Sequence, residues 1–262
     1  MMHTLQLEII NQIAVLSLNR PSKRNAMNST FWTEFHSTFT STLNSDILAV
    51  IITSTSQHFT SGLDISDFNL IQSGDPARSA LKFYEVVKKL QNTFTAIEDF
   101  KKPVIVCIEG YCIGGGIDLI TSCDIRLCTS SAKFSVKEVD IALAADLGTL
   151  QRLPKIVGNQ SWVRDVCFTG RIFDSSEAYQ QGLVSRVYES RDEMMQEAMK
   201  LAVLIGSKSQ VAVVGIKNVL NYSRDHGVVD GLNYVGVWNS AMVNTEDIKT
   251  AVASKRPTFS KL

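Results

Sequence analysis

Short apolar runs dominate the first half of the chain, and helical periodicity dominates the last third. Residues 5–10 and 13–18 read as two strands around a turn at Asn11-Gln12. Phe31, Phe35, Phe39 and Leu43 recur on one helical face, which predicts a helix over 30–43 capped at Asn28-Ser29. Residues 49–53 and 103–108 are continuous aliphatic runs of buried-strand length, the second leading to the triple glycine Gly114-Gly115-Gly116 and then a helix. Residues 72–79 are expected as a surface loop and 83–100 as a helix. Beyond Pro154 strands nearly vanish, and 160–169, 175–180, 192–205, 210–223 and 228–244 read as helices. The alternation predicts an α/β layered domain over 1–190 and a helical region over 191–262. Tyr234, Trp238 and Met242 on the last long helix are core or subunit-contact positions.

Composition narrows the class. Of 262 residues, 45% are apolar, enough for a sizeable core. Lys+Arg and Asp+Glu balance at 26 each, which argues against nucleic acid as the main partner but leaves room for a local basic pocket. The five cysteines form no Cys-x-x-Cys pair and sit among apolar residues, so reduced core thiols are expected and no metal site. The four histidines show no pairing that suggests a metal or a nucleophilic triad. No apolar segment has the length of a membrane span, and the amino end lacks the pattern of a signal peptide. The chain ends Ser260-Lys261-Leu262, a peroxisomal address read by an import receptor. The preceding Pro257-Thr258-Phe259 reads as unpacked, leaving that tripeptide free.

The chemistry concentrates between residues 107 and 154. Asp118, Glu138 and Asp146 each stand among aliphatic neighbours, and ionised carboxylates are rarely buried unless paired or used. Glycines between a strand and a helix leave bare N–H groups at the helix start, where negative charge is favoured. Such donors serve an oxyanion or a phosphate, and the glycines also permit close helix–strand packing. The phosphate reading is the weaker, because neither GxxxxGK[ST] nor GxGxxG is present.

Five stretches together resemble the crotonase, or enoyl-CoA hydratase/isomerase, superfamily. They are Leu18-Asn19-Arg20-Pro21 with Asn25-Ala26, then Phe59-Thr60-Ser61-Gly62-Leu63-Asp64, Gly114-Gly115-Gly116, Asp124-Ile125-Arg126, and Thr149-Leu150-Gln151-Arg152-Leu153-Pro154. The resemblance covers nearly the whole chain in order. It implies a spiral of strand-strand-helix units with carboxyl-terminal helices used for trimerisation, as a trimer or hexamer. It also implies an acyl-CoA substrate whose thioester oxygen is held by the backbone N–H groups of Leu63 and Gly115. Ser61, Gly62, Asp64 and Ile65 complete that substrate loop, though the Asp64 side chain, like Asp124 and Asp140, reads as a turn or cap residue. Arg20, Lys23, Arg24 and Ala26 fall where the family holds coenzyme A; Lys23 and Arg24 also fit as solvated charges. Coenzyme A arrives as part of the substrate, and no separate cofactor is implied.

Within the superfamily, Val136-Lys137-Glu138-Val139-Asp140, Asp146 after Leu143-Ala144-Ala145, Tyr222 to His226 and the Phe259 tail resemble the Δ3,5-Δ2,4-dienoyl-CoA isomerases. Hydratases carry a glycine in place of Asp146. The resemblance implies movement of two conjugated double bonds toward the thioester in peroxisomal β-oxidation of unsaturated fatty acids. Asp146 would be the base at carbon 2, Glu138 the proton donor at carbon 6, and Asp118 an orienting acid. The alternatives are a 2-enoyl-CoA hydratase using Asp118 and Glu138 on water, or a catalytically silent acyl-CoA-binding subunit.

Overall fold

The computed structural model describes residues 2–43, 46–67, 74–255 and 257–261, so Leu262 of the terminal tripeptide lies outside it. Strands β1 (Leu5–Ile10) and β2 (Ile13–Leu18) pair antiparallel across Asn11 and Gln12, whose φ values of 50° and 67° suit a two-residue hairpin turn. Helix α1 (Ser29–Ser37) is capped by Asn28, whose side chain accepts from the Phe31 N–H at 3.0 Å. It widens into a π-helical segment, Thr38–Thr42, and strand β3 (Ala49–Ser54) follows, buried throughout. Helix α2 (Pro76–Asp99) begins earlier than expected. Asp75 accepts the Arg78 N–H at 2.8 Å and Pro76 takes the first helical turn, so residues 76–79 of the expected loop are helix.

Strand β4 (Val104–Ile108) does not run straight into the glycines. Gly110, at φ 58°, turns the chain into β5 (Tyr111–Ile113), and that strand delivers Gly114 to helix α3 (Gly115–Thr121). Strands β6 (Ile125–Thr129) and β7 (Lys133–Ser135) carry too few alternating apolar residues to show in the pattern. Helices α4 (Thr149–Ile156) and α5 (Gln160–Thr169), strand β8 (Phe173–Asp174), helix α6 (Ser175–Gln180) and strand β9 (Arg186–Tyr188) come next. The chain closes with α7 (Arg191–Gly206), α8 (Gln210–Asp225), α9 (Val228–Met242) and α10 (Glu246–Ala253). Pro154 sits inside α4 rather than after it.

The strands form a larger sheet in the order β1-β2-β3-β4-β6-β9, parallel from β2 onward, and a smaller one in the order β5-β7-β8. Successive turns of the chain lay one strand in each sheet, β4 then β5 and β6 then β7, which is the expected spiral. The large sheet is apolar on both faces, as parallel sheets are. One face packs with α1 and α2 through Phe31, Phe35, Phe94 and Ile97. The other is covered by Met194, Ala198 and Ala202 of α7 against Ile13, Ile51, Ile105 and Leu127.

Helix α8 is tied to this core by Lys217, whose ammonium donates to Ile97 O and Lys102 O at 3.1 Å each and meets Asp124 at 2.9 Å. Ile216, Leu220, Leu232 and Val237 of α8 and α9 remain exposed. The tail is less free than expected: Phe259 is half-buried in a groove with Ala212 and Trp238, and Lys261 donates to the Gln12 side chain. Among the described residues, no single helix is long and apolar enough to cross a membrane.

Candidate active site

Three loops meet at the amino end of α3. Residues 59–60 lie parallel to β5: Thr60 N–H donates to Tyr111 O at 2.9 Å and Ile113 N–H to Thr60 O at 3.1 Å. Gly62, at φ 86°, has no room for a side chain, because a Cβ there would fall 2.8 Å from Ile113 O and 3.5 Å from Gly115 N. Met27 flanks Leu63, donating to Gly62 O at 2.8 Å and accepting from the Asp64 N–H at 3.0 Å. Strand geometry then points the Leu63 N–H away from Met27. The Gly115 N–H stands in the first turn of α3, where a helix offers no acceptor of its own. Among the described residues, neither N–H has a hydrogen-bond partner. Two unspent donors on adjoining loops are what a developing oxyanion needs.

The loop before Met27 is bound to this one. Asn25 accepts the Arg20 N–H at 2.7 Å and donates to His58 O at 2.9 Å and Phe59 O at 3.1 Å. Arg20 donates to Ala26 O and pairs with Asp64 at 2.9 Å, so its charge is engaged inside the loop and Ala26 is buried. Lys23 and Arg24 are exposed and form no ion pair among the described residues. Ser61 is half-buried with its N–H on Arg24 O at 2.9 Å, and Ile65 is exposed. Asp124 pairs with Lys217 at 2.9 Å and Asp140 with Lys137 at 2.5 Å.

The charge of Asp146 reaches both Asp118 and Glu138. Asp118 on α3 is 1% exposed and accepts the Thr149 N–H at 2.6 Å, capping α4 from outside. Burial pushes its carboxyl up to about 6, with the Asp146 charge adding and Thr149 and Arg152 opposing. Glu138 opens a short 3₁₀ turn, Glu138–Ile141, and is 6% exposed. Burial first, then Asp118 and Asp146, push it up to about 7. Its Oε1 sits over Gly114, 3.2 Å from where a Cβ would stand, and its Oε2 has no hydrogen-bond partner among the described residues. Asp146 is half-buried and raised by that burial. The arrangement therefore offers a proton held on Glu138 near neutral pH and a more accessible carboxylate at Asp146.

Three residues that sequence reasoning left without a role also touch the site. Gln91 donates to Asp146 O at 2.7 Å, Thr149 holds Asp118, and Arg152 donates to Leu147 O at 3.3 Å. Thr149 and Arg152 lie within a quoted motif; nothing in the sequence marks Gln91. Among the described residues, no group of His, Cys, Asp and Glu is arranged to hold a metal ion.

A model of the enoyl-CoA hydratase/isomerase family matches residues 8–259. The chain belongs to that family. Among its relatives, the mitochondrial Δ(3,5)-Δ(2,4)-dienoyl-CoA isomerase of Mus musculus is 49% identical over 94% of this chain and 79% of its own. The peroxisomal enzyme of that name from Arabidopsis thaliana is 44% identical over 94% of this chain and 92% of its own. A crystal structure of an enoyl-CoA hydratase from Mycobacterium smegmatis superposes with a TM-score of 0.88 at 20% identity, covering 97% of this chain and 98% of that one. At that identity the likeness shows the crotonase fold alone.

The burial of Glu138 has a measurable cost. A free glutamate releases its proton near 4.5, whereas the folded protein holds it to about 7. The folded form thus binds more protons between those values, and stability falls as pH rises through them. Glu138→Gln removes the penalty. It is expected to be more stable than wild type at pH 8 by about 1–3 kcal/mol, seen as a thermal midpoint higher by several degrees. The gap should close toward pH 4, where both forms are neutral. A variant less stable than wild type at pH 8 would contradict the assignment.

Proposed function

We propose that this enzyme isomerises 3,5-dienoyl-CoA to 2,4-dienoyl-CoA in fatty-acid β-oxidation, with Asp146 and Glu138 moving the proton. Asp146 takes a proton from carbon 2, and the electron pair passes into the thioester as a dienolate. The N–H groups of Leu63 and Gly115 meet the oxygen as it gains charge. The charge extends through the conjugated chain to carbon 6, where Glu138 gives its proton and the two double bonds settle at 2,4. Asp118, fixed on Thr149, positions the loop that carries Asp146 and helps keep Glu138 protonated. Lys23 and Arg24 are the free charges for the coenzyme's phosphates, while Arg20 and Ala26 shape that loop. Ser61, Gly62, Asp64 and Ile65 form the rest of the substrate loop. No separate cofactor enters this scheme.

The observation that carries the reading is the buried Glu138, proton-bearing near neutrality, with a second acid in reach of its field. A hydratase would instead use Asp118 and Glu138 to hold a water. Here one oxygen of Asp118 is already committed to Thr149, which favours the isomerase. Purified protein given a 3,5-dienoyl-CoA should generate the ultraviolet absorption of a 2,4-dienoyl thioester. Asp146→Asn should lower that turnover by about two to four orders of magnitude with acyl-CoA binding little changed. Turnover within a few-fold of wild type would remove Asp146 from the mechanism.

Two further properties follow from the last third of the chain. The exposed apolar face of α8 and α9 in the helical region 191–262, with Val235, Trp238 and Met242 beside it, supports a trimer or hexamer. Sedimentation at micromolar concentration should give one of these, and a monomer would refute it. Ser260-Lys261-Leu262, where it forms the free carboxyl end, and the peroxisomal relative support location in the peroxisome. A fluorescent protein fused at the amino end should enter peroxisomes and lose that location when the tripeptide is deleted; unchanged import would mean another signal acts.

A further inference from the structure

The segment that carries Asp146 has an unusual support. Among the described residues, the backbone of 144–147 makes no hydrogen bond to any other backbone group. Its two held carbonyls are held by side chains instead. Gln91 donates to Asp146 O at 2.7 Å, and Arg152 donates to Leu147 O at 3.3 Å. Arg152 is itself fixed, with one guanidinium nitrogen on Glu98 at 2.8 Å and Thr95 at 3.2 Å. Gln91, Thr95 and Glu98 recur at the spacing of a single face of α2. The adjoining face of α2, with Leu90, Phe94 and Ile97, is sunk in the core. From behind, Arg224 of α8 also binds Glu98.

We propose that Gln91 and Arg152 are the positioning residues of the base: they transmit the rigid face of α2 to the peptide units at 146 and 147 and so set where the Asp146 carboxylate stands. This rests on Asp146 being the base at carbon 2. The physical reason is that a carboxylate's direction follows from the peptide planes on either side of its Cα. Apart from the burial of the Ala145 and Leu147 side chains in the core, no backbone hydrogen bond fixes those planes among the described residues. Gly148, at φ 131°, lets the guanidinium close under the turn, since a Cβ there would lie 1.8 Å from Arg152 Nη1. Arg152 has a second effect, because its charge opposes the rise in the Asp118 pKa. Gln91 has no charge and isolates the geometric contribution.

Gln91→Met keeps the length of the side chain and removes the donor. Arg152→Lys keeps the charge and removes the fork that joins Leu147, Thr95 and Glu98. Misplacing a reacting group by about 1 Å costs roughly 100-fold in rate. Both variants should therefore lose about 10- to 100-fold in kcat, with KM and the thermal midpoint nearly unchanged. The deciding measurement is deuterium uptake at carbon 2 of the thioester in deuterium oxide, which reads the base step apart from donation at carbon 6. Uptake should fall in parallel with kcat in Gln91→Met and Arg152→Lys, and should be absent in Asp146→Asn. Wild-type uptake in Gln91→Met and Arg152→Lys beside a dead Asp146→Asn overturns the positioning role and leaves the base intact. Wild-type uptake in Asp146→Asn overturns the base and the positioning role together. A Gln91→Met protein that loses activity only in proportion to its unfolded fraction also overturns the proposal, because the contact would then be merely structural.

Discussion

A carboxyl group buried without a full set of partners constrains everything around it. Glu138 is 6% exposed, and its Oε2 has no hydrogen-bond partner among the described residues. Leaving a buried acceptor unpaired costs about 1–3 kcal/mol, and an ionised one costs more. The fold accommodates this by keeping the group protonated, through burial and the nearby fields of Asp118 and Asp146. Gly114 makes the place possible, since any Cβ there would press on Glu138 Oε1 at 3.2 Å. The glycines thus serve both sides of the site: Gly114 seats the acid, and Gly115 leaves its N–H free.

The loops facing the acids are rigid for a different reason. Among the described residues the stretch from Phe59 to Gly62 has only one short bridge to a strand, yet it is fastened to β5 by backbone bonds and to the Arg20–Ala26 loop by the Asn25 amide. Arg20 closes the same unit on Asp64. Fixed donors need not reorient when charge develops on an oxygen, which is why preorganised amides outperform water. The cost of this rigidity appears as left-handed backbone at Arg24 and Asn25, with φ 48° and 55°. The Asn25 bonds hold that conformation in place.

Much of this was legible in the sequence because it is written in local signals. The hairpin at Asn11-Gln12, the Asn28 cap and the aliphatic runs of β3 and β4 depend on neighbours within a few residues, and the structure places them as expected. The three acids stood out because their surroundings were apolar, and all three show raised pKa values. What stayed hidden depends on distant partners. Strand β7 has three residues and exists because β5 and β8 pair with it. The start of α2 was lost because Pro76 reads as a breaker until Asp75 is seen to cap the turn. Gln91 carries no signal at all, since its partner lies 55 residues away on a bare carbonyl.

In the proposed mechanism, the unequal burial of Glu138 and Asp146 also bears on how the site recovers. One turnover of that mechanism reverses the proton balance, with Asp146 holding the proton taken from carbon 2 and Glu138 having given its own to carbon 6. Another cycle requires the proton to return. Glu138, the more deeply buried, is pushed up to about 7, and Asp146, half-buried, is raised from a lower starting value of 3.8. Desolvation disfavours the charge on both, and more strongly on the deeper Glu138, which favours the proton there. Asp146 stays half-buried, while Glu138 is 6% exposed and lies against Gly114. Two similar carboxyls are thus set apart by the depth to which the chain buries them.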